Sequence, residues 1–181
     1  MELSACWRNL GSIVTVITLL GLAPPLAQTA RAQSQSQAFR ASAAAEDEIR
    51  SATMRFYVAL NSGLHGDLGP LSALWSHRGD VSNLSAVGGR EAGWNEVYAD
   101  FQNMARLNPD GRIAPRDIVV VAGTDMGYSV CTETGQLRSQ EGPMVSFHQR
   151  ATNIFRLEDG KWKMIHHHVD ASSTGSQGAT R

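Results

Sequence analysis

The stretch 150-RATNIFRLEDGKWKMIHHHVD-170 decides how the chain is built. Asp159-Gly160 in its middle is a hairpin turn by residue type, since both residues tolerate the positive φ that a two-residue turn demands. The runs on either side read as strands. The first, Pro143 to Glu158, is longer than the usual strand of about 5 to 6 residues, so a bend or bulge is expected in it. The second runs from Lys161 to Ala171. Side chains on a strand alternate faces. Trp162, Met164, His166, His168 and Asp170 therefore share one face, and Lys163, Ile165, His167 and Val169 the other. Lys163 must stay wet, so the Trp162 face is expected to look inward. The histidine triplet thereby divides. His166 and His168 stand about 7 Å apart on the inner face with Asp170 next to them, while His167 is expected on the outer face, in a dimer interface.

Upstream of this hairpin lie two more strands, 115-PRDIVVVAG-123 and 126-MGYSVCTETGQL-137, joined by a turn at "GTD". Before them the habit is helical. Ile49, Thr53, Phe56, Tyr57 and Leu60 fall at helical spacing in Glu46 to Gly63, with acids in the first turn and Gly63 as a C-cap. Asp67 to Ser76 reads as a shorter helix with Pro70 in its first turn. A short strand begins near Val81 and ends at the Gly88-Gly89 turn. Trp94, Val97, Tyr98, Phe101, Met104 and Ala105 make the apolar stripe of a third helix, Ala92 to Leu107. Helices before hairpin-linked strands define the α+β class. A curved antiparallel or mixed sheet wrapped around three N-terminal helices is expected, cone-shaped, with a cavity at its open end.

The 181 residues do not all belong to that fold. Arg8 precedes the apolar run Ile13 to Ala23, which is too short to span a bilayer, and Ala30-Arg31-Ala32 has the form of a cleavage site. Residues 1–32 are read as a secretory signal peptide and 33–45 as a flexible, low-complexity leader. Residues 46–171 form one domain and 172–181 a disordered tail. A periplasmic or secreted protein follows, with no membrane association after cleavage. The domain keeps a single cysteine, Cys131, hence no internal disulfide. A net charge of −1, with no basic block, argues against nucleic acid as a partner.

The closing hairpin, with its Asp-Gly turn, Trp162 and an H-x-H ending, resembles the SnoaL-like group of the nuclear-transport-factor-2-like superfamily. The segment Ala73 to Phe101 is similar to that group's helix, short strand, glycine turn and helix. The resemblance covers nearly all of Glu46 to Asp170. It implies the cone fold, a homodimer and a hydrophobic pocket for a small apolar molecule. The superfamily holds isomerases, cyclases and dehydratases as well as oligomerisation modules, and fold does not fix function. Two departures stand out. Asp170 occupies a place where relatives often carry serine. Asn153 takes the place of the pocket arginine of the calcium/calmodulin-dependent kinase II association domain, so anion binding through that position is not expected.

Histidine titrates near neutral pH without much tuning, so His166 or His168 would serve as general base with Asp170 orienting the ring. Tyr57, Trp75, Trp94, Asn153, Trp162 and Met164 are expected to line the pocket. The competing reading is that the histidines satisfy each other and buried backbone groups. A metal needs three or four ligands converging at about 2.0 to 2.2 Å; the spacing permits this without demanding it, and neither metal nor cofactor is expected. No glycine-rich phosphate loop, nucleophile elbow or CxxC is present. Two functions therefore compete: an exported pocket protein with His-based acid/base chemistry, and a non-catalytic dimerising or ligand-binding module.

Overall fold

The computed structural model describes residues 25–85, 89–107, 109–138 and 142–171. The expected cleavage site at Ala32 falls within them; the apolar run Ile13 to Ala23 and the expected tail lie outside. Two compact units divide at Ser36 and Gln37. Residues 25–36 are helical, the start of α1 (Pro25–Leu64). Residues 33–45, expected as a flexible leader, are helical too. Alanine, glutamine and arginine are good helix formers, and the segment stays exposed through Ala44, so propensity rather than packing accounts for it.

The second unit carries the fold. After α1 come α2 (Gly69–Leu74), β1 (Ser82–Leu84), β2 (Arg90–Ala92), α3 (Trp94–Leu107), β3 (Asp110–Ala122), β4 (Met126–Arg138), β5 (Val145–Glu158) and β6 (Lys161–Ala171). The strands form one mixed sheet in the order β2-β1-β6-β5-β4-β3. All pairings are antiparallel except β1 with β6, which is parallel. The β5–β6 hairpin turns at Asp159 and Gly160, with φ of 49° and 73°, as their residue types require. β3 begins five residues before the expected Pro115, and β2 was not foreseen. Gly63 is not the end of α1. It lies inside the last turn, where a Cβ would come within 2.8 Å of Leu71 Cδ1.

One face of the sheet is covered by helices. Ile49, Ala52, Thr53, Phe56, Tyr57, Leu60 and Leu64 make the buried stripe of α1. They pack with Leu71 and Trp75 from the α2 end, Val97 and Phe101 from α3, and Phe155, Trp162 and Met164 from the sheet. The approach of α1 to β4 is close: a Cβ on Gly127 would overlap Ile49 Cδ1 and stand 2.8 Å from the Val121 carbonyl oxygen. Polar side chains fasten the helix to the sheet. Asn61 Nδ2 donates to Ile113 O (2.8 Å) and Asn61 Oδ1 accepts from Ile113 N (2.9 Å), so one amide stands in for a neighbouring strand at the edge of β3.

Strand alternation is interrupted twice. β3 gains a residue between Arg116 and Val119, where Asp117 has φ 53°. β6 gains one opposite the Ile154/Phe155 step: Met164 pairs with Phe155 and His166 with Ile154, leaving Ile165 unpaired. The irregularity expected in the long fifth strand thus falls at its pairing with β6, and the extra residue belongs to β6.

Candidate functional site

The unpaired Ile165 reverses the faces of everything after it. Trp162 and Met164 are buried on the helix-covered face, as expected. Beyond the bulge, His167 and Val169 point inward, while His166, His168 and Asp170 point to the outer face. The expected inner triad is therefore corrected, because the bulge in this strand breaks the uniform alternation on which it rests. His166 Nδ1 is 2.8 Å from Ser82 Oγ on the adjacent strand, and the His166 and His168 rings lie 6.3 Å apart, edge to face. Asp170 makes a bidentate pair with Arg150 (3.0 and 2.6 Å) in solvent. It orients no histidine.

His167, expected outside, is buried at 6% exposure against the Phe56 ring, with centroids 4.8 Å apart. It belongs to a rung of polar side chains crossing the inner face from strand to strand: Ser129, Asn153, His167, Asn83 and Glu91 stand opposite one another on β4, β5, β6, β1 and β2. The hydrogen bonds along this rung have a direction. Thr53 has one hydroxyl proton and gives it to Ile49 O (2.9 Å), because a carbonyl can only accept. Ser129 Oγ, 2.8 Å away, must then donate to Thr53. Asn153 Nδ2 donates to Ser129 Oγ (3.2 Å), and its Oδ1 is left to accept from His167 Nδ1 (2.7 Å). The Ile49 carbonyl thereby fixes the His167 tautomer four links away. Nδ1 holds the proton and Nε2 presents a bare lone pair.

That lone pair faces Glu133 Oε1 at 3.6 Å. Glu133 is 3% exposed and accepts a hydrogen bond from the Tyr57 hydroxyl at 2.9 Å. Tyr57 spends its proton there, so the Cys131 thiol, 3.1 Å away, donates to the tyrosine oxygen. Burial pushes the Glu133 carboxyl up to about 7, against the opposing Tyr57 hydrogen bond. Burial, with His166 and His168 adding smaller effects, drives His167 down to about 3, so it stays neutral. Burial and the neighbouring Glu133 hold the Tyr57 phenol far above its ordinary range. Burial also raises Cys131, which remains a thiol. The centre is thus a carboxyl poised near neutral pH between a phenol donor and an imidazole acceptor. Such a group accepts a proton in one step and returns it in the next. Glu133 stands in 126-MGYSVCTETGQL-137 with no motif around it, so the sequence pattern does not point to it.

Of the residues expected to line a pocket, Tyr57, Trp75, Asn153, Trp162 and Met164 are buried on the helix side of the sheet. Trp94 sits nearer the periphery, stacked on His77 at 4.3 Å. Trp162 donates to Glu48 (2.9 Å) and borders a cavity of about 490 Å³ between α1, the end of α2 and the β5–β6 turn. That cavity carries five charged side chains, Asp47, Glu48, Arg55, Lys161 and Lys163, and does not reach Glu133. On β4 beyond Glu133, Phe147 packs on Gly135, where a Cβ would lie 2.6 Å from the ring. Among the described residues no three His, Cys, Asp or Glu side chains converge as a metal site, and no helix is long and apolar enough to cross a membrane.

The sequence profile of the SnoaL-like domain matches residues 49–172. No curated protein matches the chain. Among solved structures, a nuclear-transport-factor-2-like superfamily protein from Salmonella enterica superposes with a TM-score of 0.65 at 12% identity, over 76% of this chain and 99% of that one. A candidate dehydratase of the same family from Streptomyces avermitilis gives 0.63 at 24% identity, over 70% and 95%. An uncharacterised protein with a cystatin-like fold from Caulobacter vibrioides gives 0.60 at 16% identity, over 71% and 90%. At these identities the likeness establishes the fold.

Proposed function

The chain belongs to the SnoaL-like family, and on that footing we propose that it is an exported protein that binds a small apolar molecule against the inner face of its sheet and moves a proton on it. One observation carries the reading: the buried Glu133 carboxyl, brought up to about 7 between the Tyr57 hydroxyl and His167 Nε2. The chemistry is proton abstraction beside a carbonyl, as in isomerisation or dehydration. Glu133 takes the proton from carbon, and its new O–H turns to His167 Nε2, the acceptor that the rung keeps free. The Tyr57 hydroxyl is released from Glu133 at that moment and turns to the enolate oxygen. His167 stays neutral throughout and acts as a positioning residue. The candidate dehydratase among the structural relatives agrees with this class of reaction. Because Glu133 is closed to solvent, the reading requires Phe147 to swing off Gly135 and admit the substrate.

The test is deuterium incorporation next to the carbonyl in a panel of apolar cyclic ketones, followed by NMR in D2O. Wild type should exchange, and Glu133→Gln should lose exchange by at least about a hundredfold, the typical contribution of a general base. Exchange that survives in Glu133→Gln sinks the assignment.

A second reading, a dimerising module, is favoured by the outer face. Val119 and Val121 are 56% and 43% exposed, and Tyr128 and Val130 42% and 36%. They stand on two adjacent rungs with Ile154 and His166, and with Thr152 and His168. Wide apolar surface on a folded chain marks an interaction site, and a homodimer across this face is compatible with either function. Sedimentation equilibrium giving a monomer at micromolar concentration would remove it.

A further inference from the structure

The polar rung ends in a corner between β1, β2 and α3 that its neighbours do not satisfy. Asn83 is 3% exposed, and its Oδ1 has no hydrogen-bond partner. Glu91 Oε2, also buried, has none either. Asn83 and Glu91 stand opposite each other across the β1–β2 pair, so their side chains leave the sheet as neighbours on one face. From the helix side Asp100 closes the corner, its Oδ2 accepting from Asn83 Nδ2 at 3.1 Å. Glu96, one turn earlier on α3, accepts from Ala92 N at 2.9 Å. Burial raises the Glu91 carboxyl, and Asp100 and Glu96 raise it further. Burial raises Asp100 as well. Among the described residues no lysine or arginine pairs with any of these carboxylates. Buried polar atoms are almost always partnered, and every unmet group in this corner is an oxygen acceptor. A water molecule would satisfy the lone pairs and leave the charge standing.

We propose that this corner binds a hard divalent cation, Ca²⁺ in preference to Mg²⁺, held by the Glu91 and Asp100 carboxylates and the Asn83 amide oxygen. Oxygen-only donors suit such an ion and not zinc. The donors come from three separate elements, an irregular arrangement that calcium accepts with about 6 to 8 ligands, whereas magnesium demands a near-ideal octahedron. Glu91 and Asp100 are only partly buried, so water reaches the corner to complete the shell. Among the described residues no three His, Cys, Asp or Glu side chains gather here; the amide oxygen makes the third ligand. Binding would tie the β1–β2 pair to α3 and hold Asn83 in place beside His167, its register partner on β6.

The test uses the full chain after EDTA treatment, with thermal unfolding followed in CaCl2, in MgCl2 and in NaCl of matched ionic strength. Calcium at about a hundredfold over its Kd should raise the midpoint by several degrees, magnesium by less, and sodium not at all. Glu91→Gln and Asp100→Asn keep side-chain shape and each remove one charge from the acidic corner. Without calcium they should unfold no lower than wild type, yet each should lose the calcium increment. Equal midpoints in calcium and matched sodium would overturn the proposal and leave a shared proton or a water in the corner. An increment that persists in both variants would overturn the choice of ligands.

Discussion

Replacing Glu133 by glutamine should change the slope of stability against pH more than it changes stability itself. The Glu133 carboxyl is raised from 4.5 to about 7 on folding, so the native state holds its proton more tightly than the unfolded chain. Its stabilising contribution is complete below pH 4.5 and is lost as pH rises to about 7, at roughly 1.4 kcal/mol per unit and about 3 kcal/mol in all. His167 acts in the opposite sense. Its imidazole is lowered from 6.5 to about 3, so the unfolded chain takes the proton first. Its contribution is complete above pH 6.5 and is lost as pH falls towards about 3. Between pH 4.5 and 6.5 the two slopes oppose each other and nearly cancel. Glu133→Gln removes one of them, and stability should then rise with pH relative to wild type by about 3 kcal/mol across the interval from 4.5 to 7. His167→Gln removes the other, and relative stability should fall with rising pH from about 3 to 6.5. Urea unfolding of wild type, both single variants and the double variant at four pH values between 4.5 and 7.5 measures this. Differences from wild type cancel the other titrating groups, including Glu91 and Asp100. Parallel pH profiles for wild type and Glu133→Gln would refute the buried carboxyl as described, and with it the proposed chemistry.

Asn61→Ala should cost about 1 to 3 kcal/mol in urea unfolding, because it orphans both the N–H and the C=O of Ile113. Gly127→Ala should cost at least as much, since the added carbon meets Ile49 and the Val121 carbonyl together; a neutral result would show that α1 stands further off the sheet. Asp170→Asn should change stability by no more than about 1 kcal/mol, the worth of an exposed ion pair. His166→Ala and His168→Ala should leave monomer stability within about 0.5 kcal/mol and leave ketone exchange intact, and a large loss of exchange in either would return the chemistry to the outer pair.

The third helix, the sheet-forming half and the Asp159-Gly160 turn were legible because each rests on a local rule: apolar spacing, strand-like runs, positive φ. The site was not, for two local reasons. A bulge of one residue has no composition of its own, and nothing in Met164-Ile165-His166 distinguishes Ile165 from its neighbours. On β4 the alternation is inverted in size. Tyr128 and Val130, the bulkier apolar residues, face outward, while Gly127, Ser129, Cys131 and Glu133 face in. Close approach of α1 leaves room only for small side chains there, and the space beyond Cys131 is taken by a polar group that reaches Tyr57. A reader weighing hydrophobicity alone places that strand the wrong way round. Small residues at every second position beside a single acid were the available signal.

The unpaired Ile165 also bears on why three histidines stand in a row. Ironing out the bulge, so that Ile165 paired with Ile154, would restore simple alternation and turn the neighbours of His167 inward in its place. In most strands such a slip exchanges the chemistry of the two faces. Here an imidazole arrives at the inner position in either frame. The triplet makes this strand indifferent to a one-residue slip of register at the position where its pairing is already irregular.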